Sequence, residues 1–289
     1  MDLPLVVGVD GSGPSLDAVD WAVEEAARHG LPLRLVHASL WERYEGSVPS
    51  FGRQRPAQEV LAQHIVASGS ERARQRRPEV QVSSDVMPDD PVSALLAAGH
   101  EASFLVTGSR GRGELAGLTL GSVGLGVAAR ATCPVVVVRG GERNRAGGFG
   151  RVVIGVGDLP HCLGAVRFAF REAAVRGSAL RAVRAWRSPA GHATPRTADD
   201  GTSAPEERAS AGLTEGLREA VREHPDVDVH RTPVEGPAHE VLLEASAGAD
   251  LIVVGALRQH GHFGLQLGRV AHTLLHHAEC PVAVVPQRV

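Results

Sequence analysis

The chain has 289 residues, 43% hydrophobic and 22% charged, and its 30 basic against 33 acidic side chains leave a formal net charge of −3. That length favours two domains, the composition is that of an ordinary globular protein, and the charge balance lacks the basic excess of a nucleic-acid binder. No apolar run approaches the ~20 residues of a membrane span, and Met1 to Gly13 lacks the basic start of a secretion signal, so a cytoplasmic protein is expected.

In chain order, Leu5 to Val9 is an apolar run that predicts a buried strand. From Ser15 to Arg28 the apolar residues Leu16, Val19, Ala22, Val23 and Ala26 keep helical spacing, and Gly30 stands where a helix C-terminal glycine belongs. Leu33 to His37 predicts a second strand, Ser39 to Pro56 a loop, Ala57 to Arg77 a helix and Val80 to Val86 a third strand. Pro91 suits a helix start, and the strand Phe104 to Thr107 follows. A glycine-rich stretch, Gly108 to Leu120, then leads into a helix over Ser122 to Arg130 and a strand over Pro134 to Val138. Short apolar strands alternating with helices predict a parallel sheet covered on both faces.

The order then repeats. Gly8, Ala18, Glu25, Gly30 and Val36 recur 147 positions later as Gly155, Ala165, Glu172, Gly177 and Val183, and Gly108, Gly121, Cys133 and Pro134 recur as Gly255, Gly268, Cys280 and Pro281. So long a period means duplicated domains, 1–140 and 151–289, with 141–150 as linker because Arg, Asn and Gly crowd there. In the second copy Arg187 to Pro205 takes the place of the first long loop and predicts a mobile segment. Every basic residue is arginine, and the lack of lysine removes a Walker A loop, Schiff-base catalysis and a protein-kinase site. Three scattered cysteines, Cys133, Cys162 and Cys280, make neither a disulfide framework nor a CxxC site.

The segment Thr107 to Val123 carries the chemistry. Its skeleton is Gly108, two residues, Gly111, nine residues, then Gly121-Ser122. A glycine at the end of a strand lets a ligand approach the backbone, and Gly111 can take a positive φ to aim its N–H inward. Gly121 and Ser122 open a helix whose free N–H groups and positive end suit an anion. Arg110 and Arg112 either screen phosphate or are solvated loop residues. Asp10, at the end of the first strand, accepts from a base or ribose, or holds a metal bridging to phosphate, or else Asp10 or Ser12 caps the next helix.

The duplicated unit resembles the universal stress protein family in its tandem two-domain form. The residues that carry the resemblance are Val6 to Ser12, Val36-His37-Ala38, the Gly108-x2-Gly111-x9-Gly121-Ser122 motif of the family's ATP-binding branch, and Cys133 to Val138. The resemblance implies an α/β fold of two tandem doubly wound parallel five-stranded sheets, order 3-2-1-4-5, with helices on both faces. It implies ATP, with magnesium near Asp10, held by Val9, Asp10, Ala38, Thr107, Gly108, Arg110, Gly111, Gly121, Ser122 and Val123. It further implies pairing through the last strand of each domain and a homodimer, with unnamed protein partners.

The second copy departs from the motif: Asp10 becomes Gly157, Gly111 becomes Arg258 and Ser122 becomes Arg269. Gly255 and Gly268 persist there as weak candidates, and Asp158 stands next to the lost carboxylate. Either the second site is degenerate, or its arginines bind phosphate instead. His272, His276 and His277 are expected to be surface or interface residues, lacking an HExxH pattern. The expected function is an ATP-binding regulatory protein of the stress response. The alternatives are a slow ATPase or nucleotidyl-transfer enzyme, for which no nucleophile is assignable, and a scaffold without ligand.

Overall fold

The computed structural model of the chain describes residues 3–40, 57–111, 120–158, 161–187, 203–257 and 267–287. Most of the two long loops expected from the sequence, and of the glycine-rich stretch, lies outside the described residues. The chain divides into two units, Met1–Arg139 and Gly140–Val289.

The first unit contains β1 (Leu5–Gly8), α1 (Gly13–His29), β2 (Leu33–Ala38), α2 (Ala57–Arg76), β3 (Val82–Met87), α3 (Pro91–Gly99), β4 (Phe104–Gly108), α4 (Ser122–Arg130) and β5 (Val135–Val138). Its strands lie in the order β3-β2-β1-β4-β5 and pair in parallel. The register sets Leu5 opposite both Leu33 and Phe104, so the apolar runs stack across the sheet. Leu5, Val6, Val7, Leu33, Leu35, Leu105 and Val106 are fully buried. A central strand buried on both faces reads as a continuous apolar run, which is how these segments are spelled. Each such leucine contributes about 1.5–3 kcal/mol through burial. α1 packs with α2 and α3 with α4, one pair on each face.

Helix ends obey local chemistry. Ser12 caps α1 by accepting from the Ser15 N–H, Asp90 caps α3 through the Val92 and Ser93 amides, and Gly30 closes α1 at φ 64°. The Ser93 bonds, side chain and backbone, hold the Asp90 carboxyl below the usual carboxylate range.

The second unit repeats the plan. After a short helix α5 (Glu142–Arg145) come β6 (Arg151–Gly155), α6 (Leu163–Arg176), β7 (Ala179–Trp186), α7 (Ser203–Glu223), β8 (Val229–Glu235), α8 (Ala238–Ser246), β9 (Leu251–Leu257), α9 (Arg269–His277) and β10 (Val282–Gln287). Its strand order is β8-β7-β6-β9-β10, the same winding, and Gly177 closes α6 at φ 60° as Gly30 closes α1.

The segment expected as a linker folds onto the second unit. Asn144 is buried and its Nδ2 donates to the carbonyls of Ala247 at 3.2 Å and Ala249 at 2.8 Å, while the Asp250 carboxylate accepts from the amides of Phe149 and Arg151 at 2.9 Å each. Arg, Asn and Gly read as linker composition, but this asparagine satisfies carbonyls past the end of α8 that would otherwise be buried unpaired.

Candidate functional site

At the carboxyl ends of β1, β2 and β4 the first unit encloses a cavity of about 400 Å³. This is the size of a small-molecule pocket, in the place where a doubly wound sheet binds ligands. The cavity brings together Val9, Asp10, Ala38, Thr107, Gly108, Arg110, Gly111, Gly121, Ser122 and Val123, which is the whole first-domain set expected from the sequence. Arg112 lies outside the described residues.

The glycines are required for reasons that differ from the expectation. Gly111 does not take a positive φ; the left-handed glycine is Gly11, next to Asp10 in the chain, at φ 78°. A Cβ on Gly111 would stand 2.5 Å from Asp10 Oδ2, so a carboxylate, not a backbone twist, demands glycine there. A Cβ on Gly108 would stand 2.5 Å from the Pro14 carbonyl oxygen, so the first turn of α1 already presses on that position. Gly121 is different: a Cβ there would meet Arg110 Cα at 3.5 Å, an ordinary contact, so no described neighbour forbids a side chain.

Asp10 and Ser12 form one local device. Asp10 Oδ1 accepts from the Ser12 amide at 3.0 Å and from its hydroxyl at 2.6 Å, and Ser12 Oγ in turn accepts from the Ser15 amide. The sequence left open which residue caps α1; Ser12 caps it and Asp10 orients Ser12. α4 contrasts with α1 and α3. It opens on Gly121 with no side-chain cap, so the amides of Ser122, Val123 and Gly124 face the cavity end without such a partner. The Gly121 amide donates to the Ser109 carbonyl at 2.7 Å, which ties the start of α4 to the end of β4.

Sequence reasoning missed several lining residues: Gly8, Ser15, Val36, His37, Pro91, Leu95, Leu120 and Gly124. Leu95, Leu120 and Val36 give the cavity its apolar wall. Val36 and Leu120 lie within segments the sequence singles out, whereas Leu95 belongs to α3 and reaches the cavity only through the fold. His37 places Nδ1 2.8 Å from the Val9 carbonyl, a bond that needs a proton on Nδ1 because a carbonyl only accepts.

The second unit arranges the corresponding place differently. Arg184, the counterpart of His37, donates to the Gly157 carbonyl at 2.6 Å and to Asp158 Oδ1 at 2.7 Å. Asp158 is therefore engaged by Arg184 at the surface. Gln287 is buried, accepts from the Gly164 amide at 3.3 Å and packs against Gly255, where a Cβ would meet its Cγ at 3.2 Å. α6 begins three positions later in the repeat than α1, and the Gln287 amide takes over at its uncapped start. Gly268 opens α9, Arg269 follows it exposed, and Arg258 lies outside the described residues. His272 and His276 stack with ring centroids 4.4 Å apart at 28°, a face-to-face geometry in which their in-plane lone pairs do not converge on one ion.

Two doubly wound domains in tandem, the first with a glycine-bordered cavity over the carboxyl ends of its strands, define a doubly wound parallel α/β architecture. The family model described as "Universal stress protein family" matches residues 3–139 and 148–286. Universal stress protein Rv2005c of Mycobacterium tuberculosis is 34% identical over 303 aligned positions, covering 98% of this chain and 97% of that protein. A universal stress protein of Mycolicibacterium smegmatis is 31% identical over 297 positions, covering 98% and 97%. Among solved structures, a universal stress protein from Archaeoglobus fulgidus shares the fold with a TM-score of 0.63 at 17% identity, covering 99% of this chain and 98% of that one. The chain belongs to the universal stress protein family. Among the described residues, no helix is long and apolar enough to cross a membrane.

Proposed function

We propose that the first domain binds an adenine nucleotide, ATP in the first instance, and that the chain is a regulatory protein whose nucleotide-bound state is read by protein partners or by its own assembly as a homodimer. The observation that carries this reading is the uncapped start of α4 at the cavity, beside a glycine, Gly121, that no described neighbour requires. Three amides with no side-chain cap among the described residues, and the positive end of the helix dipole, favour an anion there by about 1 kcal/mol or more. The apolar wall of Val36, Leu95 and Leu120 suits a base and ribose, and Arg110 adds positive charge at the rim.

A magnesium ion fits as a nucleotide-bridged ion, not as a protein cage, because Asp10 is the one carboxylate among the described lining residues. Asp10 would hold it together with phosphate oxygens, and the ion would screen their charge. The same scarcity argues against an enzyme: Asp10 is bonded to Ser12, and no in-line nucleophile is assignable among the described lining residues. In the second domain Gly157, Arg258 and Arg269 replace Asp10, Gly111 and Ser122, which supports one nucleotide per chain.

Gly121→Ala tests this reading more cleanly than a change at Gly111, which collides with Asp10. The protein tolerates the methyl within about 1 kcal/mol, while a ligand lying against this backbone loses about tenfold or more in affinity. Calorimetric titration with ATP decides it, and equal affinity for both chains would refute the proposal.

A further inference from the structure

One polar atom in the cavity has no use within the described fold. Thr107 lies in β4, its residue is 4% exposed, and its Oγ1 has no hydrogen-bond partner. Buried hydroxyls are almost always paired, because leaving one unpaired is unfavourable. Thr107 lines the cavity, and its hydroxyl lies beneath the first turn of α4: a Cβ on Gly124 would lie 3.4 Å from it, 3.5 Å from Leu120 Cδ1 and 3.6 Å from the Gly108 carbonyl oxygen. All three neighbours belong to the end of the cavity where α4 opens without a side-chain cap.

The second copy supplies an internal control. Its residue at this position is Val254, 3% exposed, with a methyl where Thr107 carries the hydroxyl. Shape and β-branching alone are therefore served by valine, and the hydroxyl is present only in the domain that keeps Asp10, Gly111 and Ser122.

We infer that Thr107 is a specificity-determining residue of the first domain: its hydroxyl donates a hydrogen bond to a phosphoryl oxygen of the bound nucleotide, alongside the amides at the start of α4. The inference rests on the proposal that this cavity holds an adenine nucleotide. It adds a donor reserved for the phosphorylated end of the ligand, so the site discriminates AMP and ATP from adenosine partly through one side chain.

The test uses the full chain as wild type, Thr107→Val and Thr107→Ser, titrated with ATP, AMP and adenosine, with nucleotide-free melting curves beside them. Thr107→Val is expected to weaken ATP and AMP about tenfold or more, as loss of a hydrogen bond to a charged group does, and to leave adenosine unchanged. Thr107→Ser, which keeps the hydroxyl, restores most of the affinity. Without nucleotide, Thr107→Val melts at the same or a higher temperature, because it removes an unpaired buried polar atom. Undiminished AMP binding by Thr107→Val would overturn the inference, as would an equal loss for AMP and adenosine, or a lowered nucleotide-free melting temperature. If the wild type binds none of the three ligands, the proposal of nucleotide binding falls first, and the wild-type isotherm separates that failure from this one.

Discussion

Gly111 and Asp10 interlock, and the interlock predicts a measurable coupling. A methyl at position 111 would stand 2.5 Å from Asp10 Oδ2, closer than real Cβ atoms approach a neighbour, so the carboxylate must retreat by about 1 Å to reach ordinary contact. That retreat stretches the 2.6 Å bond from the Ser12 hydroxyl beyond useful length and loosens the 3.0 Å bond from its amide. Loss of these charge-assisted bonds costs about 1–3 kcal/mol, so Gly111→Ala should destabilise the first domain by that amount. With Asp10→Gly already in place the obstacle is gone and the backbone at 111 is not left-handed, so the same substitution should cost less than about 0.5 kcal/mol. The second copy carries this double change, Gly157 with Arg258. A double-mutant cycle on the full chain by scanning calorimetry reads the coupling, with the second domain's transition as internal reference. Additive effects of the two substitutions would refute the interlock.

Other perturbations test the scaffold around the site. Ser12→Ala removes the cap of α1 and should cost about 1 kcal/mol of first-domain stability; an unchanged urea midpoint would contradict its capping role. Gly108→Ala drives a methyl to 2.5 Å from the Pro14 carbonyl oxygen, where both sides are backbone, and should cost about 3 kcal/mol or more, read as a large drop in melting temperature. Glu24 in α1 has its carboxyl held below the usual range: burial raises it, but the hydrogen bonds and charges of Arg77 and Arg76 outweigh that. A lowered folded-state value means that this stabilisation is complete above the ordinary glutamate value near pH ~4.3 and fades as the pH falls through the folded-state value. Glu24→Gln should therefore lower the melting temperature at pH 7 and lose its effect in acid; a difference that grows on acidification would contradict the assignment.

Much of this architecture is written locally. Val6, Val7, Leu105 and Val106 are apolar on both faces because their strands are covered on both, and Gly30 marks the end of α1 because a left-handed residue is needed there. The cavity was legible for a similar reason: glycine spacing and a helix start lie close together in the chain. What the sequence hides is contact between distant segments. It shows that positions 108 and 111 need glycine but not that the obstacles are the Pro14 carbonyl and the Asp10 carboxylate. It shows Asn144 in linker-like company but not the carbonyls that its amide satisfies. Nor can it reveal that the Thr107 hydroxyl is buried without a partner, since that depends on the packing of α4 over β4.

The most direct measurement is a calorimetric titration of the nucleotide-free full chain with ATP in the presence of magnesium. One equivalent bound per chain, with binding lost or sharply weakened in Gly121→Ala, is the predicted result. No binding at all would contradict the assignment of the α4 cavity to a nucleotide, and two equivalents would contradict the proposed loss of the second site with the replacement of Asp10, Gly111 and Ser122 by Gly157, Arg258 and Arg269.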